Sequence, residues 1–220
     1  MIIAGLIGWH WPQDTPTSEE EEKAFEAEHG VGLWTSGSRM VGRSGMMLLI
    51  LIIWIALACF LFSYFFIRLE NPVWPIDNIG LPRLPLALVS AALLLLSGGG
   101  IYWAVSGIRG GSNRRLALGL ALAFGLAAVA LGLQIFDYTR LPFAWDTNAY
   151  GSLFYVMGSF AMLVLAGGML INLLTQLFAW RGQYTARRHV MAENVALYWY
   201  AAIALWLIVF GTLYLSPYFL

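Results

Sequence analysis

Five long apolar runs without a single Asp, Glu, Lys, Arg or His constrain this chain more than any other feature. They cover about 44–67, 86–105, 116–136, 151–178 and 196–215. Each is near or above the ~20 residues that a helix needs to cross ~30 Å of hydrocarbon. With 60% hydrophobic residues, 11% charged residues and a mean hydropathy of +0.73, the chain is far from a soluble domain. The reading is an all-α membrane protein with five transmembrane helices. Ionisable residues within a membrane usually mark proton relays, ion paths or metal ligands. Their absence from the runs predicts a chain that spans the bilayer without redox or transport chemistry of its own.

The segments outside the runs divide the chain and orient it. Residues 1–42 read as an acidic extramembrane arm and 43–220 as the five-helix domain. The start, 1–11, is apolar but short and lacks a basic n-region, which makes it a poor signal peptide. Glutamate fills six of the ten positions at 19–28, a solvated segment. Lys23, Arg39, Arg43, Arg109, Arg114, Arg115, Arg181, Arg187 and Arg188 fall on one side of the predicted membrane. Only Arg68, Arg83 and Arg140 fall on the other. Nine against three is a strong positive-inside bias, so the N-terminus is expected in the cytoplasm and the C-terminus outside. A net charge of zero argues against a nucleic-acid partner.

Candidate metal and cofactor residues are few. Cys59 is the single cysteine, which excludes a disulfide framework, a cysteine zinc site and c-type haem attachment. The histidines, His10, His29 and His189, lie outside the runs, where they are poorly placed to ligate a membrane haem. The glycines at 107–111 lack the Lys-Ser/Thr of a phosphate loop. No catalytic group and no metal site is therefore expected. Small residues, among them Gly98-Gly99-Gly100, Gly119, Gly158 and Gly168, suit close approach of helix backbones in lipid. Trp and Tyr collect at the ends of the runs, as interfacial anchors do.

Four local motifs, in order and each in a different run, carry a more specific likeness. The first run opens Arg43-Ser-Gly45-Met46-Met47 and closes Ser63-Tyr-Phe65-Phe66. The third ends Leu131-Gly132-Leu-Gln134-Ile-Phe-Asp137-Tyr138. The fourth begins Asp146-Thr-Asn-Ala-Tyr150-Gly151-Ser152-Leu-Phe154. The fifth reads His189-Val-Met-Ala-Glu193-Asn-Val-Ala-Leu-Tyr198-Trp199, with Trp206 and Tyr214 beyond. From Arg43 to Leu215 the chain resembles subunit III of the haem–copper terminal oxidases, in the short five-helix bacterial form. Its departures are Ile53 in place of a glutamate, Ala161-Met-Leu-Val164 in place of His-Gly-x-His, and Tyr200 and Ile203 in place of His and Asp. Every intramembrane ionisable group of the family pattern is replaced.

The resemblance implies a V-shaped, two-plus-three helix bundle with phospholipid in its cleft, in the bacterial cytoplasmic membrane. It implies a non-catalytic subunit beside catalytic subunit I and other respiratory-complex subunits, supporting the stability and proton uptake of subunit I during oxygen reduction. Haem and copper would belong to the partner, and membrane phospholipid would be this chain's own ligand. Arg43 and Glu193 are expected at the mouth of that cleft. Arg109, Arg187 and Arg188 join them at the headgroup level, where a basic residue is worth ~1 kcal/mol towards anionic lipid. A small membrane transporter and a free-standing lipid-binding or assembly protein stay open as alternatives. The transporter reading lacks the internal repeat and broken helices such proteins use.

Overall fold

In a computed structural model, residues 41–184 and 189–219 are described, together with Glu20, Lys23, Ala24, Ala27 and Glu28. The chain divides into two compact units, Met1–Ser36 and Gly37–Leu220. Within the first, the five described residues are helical and exposed.

The second unit is built from five long helices and short connections, with no strand among the described residues. These are α1 (Val41–Glu70), α2 (Leu84–Arg109), α3 (Asn113–Tyr138), α4 (Ala149–Trp180) and α5 (Val190–Phe210). A π-helical turn at Gly211–Leu215 and a last turn at Ser216–Phe219 continue α5. All five are long and apolar enough to cross a membrane. At 1.5 Å per residue, even 26 residues (α2 and α3) reach further than ~30 Å of hydrocarbon. Every helix, α5 with its continuation to Phe219, outruns its apolar run at both ends. A backbone in or near lipid satisfies its N–H and C=O groups only by staying helical, so the coil continues where the side chains turn polar. Local signals stop and start the helices. Ser112 caps α3 by accepting from the Arg115 backbone N–H, and Asn148 caps α4 by accepting from that of Gly151. Gly111, at φ +78°, makes the tight turn between α2 and α3.

Small residues decide which helices meet. The most extensive packing joins α2 to α3. A Cβ added at Gly119 would lie 2.8 Å from the backbone of Ala104, so the two helices touch main chain to main chain. Ala104, Ala123, Ala127 and Ala130 beside this seam are fully buried. Further packing joins α3 to α4, α4 to α5 and α2 to α5, while α1 lies against α5 and α4. The expected grouping of the first two helices against the last three is therefore not the one observed. Helix α2 belongs with α3, and α1 seats on the far partners. On α1, Gly45 has nothing within 4 Å, and the helix packs instead through larger side chains such as the buried Leu57 and Tyr64. Its lipid-type side chains stay outside, with Leu48, Ile52, Phe62 and Leu69 all more than half exposed.

Candidate functional site: a carboxylate shared by two arginines

The helices place α1's start, α2's end and α5's start at one end of the bundle, and their polar residues converge there. Glu193 stands in the first turn of α5, where the helix dipole favours a negative charge. Its Oε2 takes a hydrogen bond from Arg43 Nη1 at 3.4 Å, and its Oε1 takes one from Arg109 Nη2 at 2.9 Å. His189 Nε2 lies 3.4 Å from the same Oε1, one helical turn away. Next to it, Asn194 Nδ2 donates to the Gly42 carbonyl at 3.2 Å. One carboxylate thus ties α1, α2 and α5 together. Its own side chain is 20% exposed, while those of Arg43 and Arg109 are 41% and 62% exposed.

Two guanidinium groups on one carboxylate leave this cluster with a net positive charge. Each guanidinium carries five N–H donors, and Glu193 uses one from each. The remaining donors can bind an anionic oxygen such as a lipid phosphate. Nearby, Asn113 Nδ2 donates to the Tyr184 carbonyl, tying the loop before α5 to the start of α3. Burial pushes the Tyr184 phenol up to about 12, against a smaller lowering by its bond to Thr175. It is a neutral hydrogen-bonding group there.

Of the residues expected at this end, Arg43 and Glu193 are brought together as an ion pair. Arg187 and Arg188 lie outside the described residues. The partnership of Arg109 and His189 with Glu193 was not read from the sequence. For His189 a signal was present, since His189-x-x-x-Glu193 is the i, i+4 spacing that puts two side chains on one helix face. For Arg109 no local signal exists, because it lies 84 positions from its partner.

The other end corrects an expectation. Asp137 sits inside α3, 2% exposed, although the apolar run closes just before it. Tyr214 of α5 donates to its Oδ2 at 2.8 Å, and Gln134 Nε2 donates to the Tyr214 hydroxyl at 2.6 Å. The charge-free runs are therefore shorter than the helices, and three carboxyl groups lie within membrane-length helices: Asp137, Glu193 and, at the exposed last position of α1, Glu70. Around the polar pair, rings meet edge to face, among them Phe154 with Tyr214 and Trp74 with both Tyr64 and Tyr150.

Comparison with known proteins agrees with the motif order. The family model for cytochrome c oxidase subunit III matches residues 11–218. A cytochrome c oxidase subunit 3 from Triticum aestivum is 31% identical over 143 residues, 64% of this chain and 54% of the relative. One from Synechocystis is 29% identical over 159 residues, 70% of this chain and 66% of the relative. Another, from Petromyzon marinus, is 28% identical over 224 residues, covering 97% of this chain and 81% of the relative. The chain thus spans only about half the length of the wheat relative. With five membrane-length helices and a family match across almost its whole length, this multi-pass membrane protein belongs to the cytochrome c oxidase subunit III family.

Proposed function

We propose that the chain is the non-catalytic subunit III of a haem–copper respiratory oxidase in a bacterial cytoplasmic membrane. It packs beside catalytic subunit I, which holds the haem and copper, and supports the stability and proton uptake of that subunit. The family match over residues 11–218 carries this reading. The charge distribution bounds the role: Ile53, Ala161, Val164 and Ile203 stand where the family pattern has ionisable groups, so the middle of the bundle offers no proton carrier at those positions. Its contribution is then packing, lipid retention and shielding of the partner.

The Arg43–Glu193–Arg109 cluster is the part of the chain that holds lipid. Glu193 fixes both guanidinium groups, and their unused donors meet the phosphate of a lipid lying against α1 and α2. Removing the chain from the purified complex should leave the haem spectrum and the first turnover intact while shortening the period of sustained oxygen consumption. Loss of the first turnover would overturn the accessory role. Changing Arg43 and Arg109 together to Gln should lower the phospholipid retained per complex, measured by mass spectrometry. Unchanged lipid content would remove the cluster from the lipid site and leave the subunit assignment standing.

A further inference from the structure

The end of the bundle opposite Glu193 holds a polar site that the lipid-binding role does not use. Three helices build it. From α3 come Gln134 and Tyr138, one turn apart on the same face, from α4 comes Gly158, and from the end of α5 comes Tyr214. They line, with Trp206 and other apolar side chains of α5, a cavity of about 10 Å³. That is close to the space one water molecule needs.

The polar atoms around the cavity are incompletely matched. Tyr138 Oη is buried and makes no hydrogen bond among the described residues. Gly158 is the reason it fits: a Cβ there would collide with that hydroxyl. Gln134 commits its Nε2 to Tyr214, which leaves its Oε1 as an acceptor. Tyr214 in turn donates to Asp137. A buried hydroxyl without a partner is costly, and in a membrane bundle bulk water cannot meet it.

The size and the donor set select the occupant. An apolar group would leave Tyr138 Oη unmatched. A metal cation would call for a carboxylate in the lining, yet Asp137 is not part of it. We propose that this cavity binds one ordered water molecule, held by Tyr138 Oη and Gln134 Oε1. Through Gln134 and Tyr214 it extends a hydrogen-bonded chain to the buried Asp137 carboxyl, across α3 and α5. The site is a hydrated pocket for a single neutral protic molecule, and Gly158 on α4 makes room for the Tyr138 hydroxyl that holds it.

Two measurements on the protein purified from its native membrane test this. A density map resolving water should show one peak within hydrogen-bond distance of Tyr138 Oη, and an empty cavity would overturn the proposal. Exchange into H₂¹⁸O should shift an infrared O–H band of an internal water. That band should vanish in Tyr138→Phe and persist in Tyr155→Phe, whose hydroxyl already donates to the Phe143 carbonyl at 3.3 Å. A band that survives in Tyr138→Phe would equally overturn it.

Discussion

Glu193 and Asn172 show opposite consequences of placing a polar side chain in a membrane bundle. Glu193 is matched on both oxygens. Its glutamine variant leaves Arg43 and Arg109 facing each other without a counter-charge. The arginines are partly exposed, so the effect should fall between a surface pair and a buried one, about 1–2 kcal/mol. Arg109→Gln, at the more exposed partner, should cost less. Thermal unfolding in detergent checks both, and equal losses would show that Arg109 matters more than its exposure implies. Asn172, by contrast, is fully buried, and neither atom of its amide has a partner among the described residues. Replacing it with Leu, which has the same branching pattern, removes two unmatched polar atoms. The midpoint should rise by the equivalent of about 1–2 kcal/mol. A lower midpoint would show that the amide is matched in the membrane.

At the scale of elements, close backbone contact between α2 and α3 is the principal packing device. Gly119→Ala places a methyl group 2.8 Å from the Ala104 backbone, and should destabilise the bundle by about 1–3 kcal/mol. Gly132→Ala, on the same helix with nothing within 4 Å, should be neutral or slightly stabilising. Equal effects on unfolding would mean that the seam is looser than described. Gly168 is a second contact of this kind, with Tyr198 of α5 at 2.9 Å, but a side chain can yield where a backbone cannot. Gly151 differs from both. A Cβ there would meet the Ala144 carbonyl oxygen at 2.6 Å, so it serves the turn leading into α4 rather than a meeting of helices.

For the molecule as a whole, the sequence assigns nine basic residues to one side of the membrane and three to the other, and this asymmetry predicts the orientation. With Cys59 first changed to Ala, a cysteine at Asp146 should react with an outside, membrane-impermeant label, and one at Gln183 should be protected. Both positions are exposed, so burial cannot mask the result. The reverse pattern would invert the topology. The family is likewise a whole-chain property, and four motifs in order from Arg43 to Leu215 made it legible.

The number of helices and the membrane class were set by the sequence alone. Lipid offers no hydrogen-bond partner for a backbone, so an uncharged run of about 20 residues has one stable conformation there. Helix ends were less legible, because a backbone stays helical beyond its apolar side chains, and this is how Asp137 came to lie inside α3. The pairing of helices was decided only by the tertiary structure. Arg43 lies 150 positions from Glu193, and Tyr214 lies 77 from Asp137. Whether such residues meet depends on the rotation of each helix about its axis. Close contacts such as Gly119 against Ala104 choose that rotation; the small residues mark a face for close approach, but a run that is apolar on every face does not say which helix will meet it.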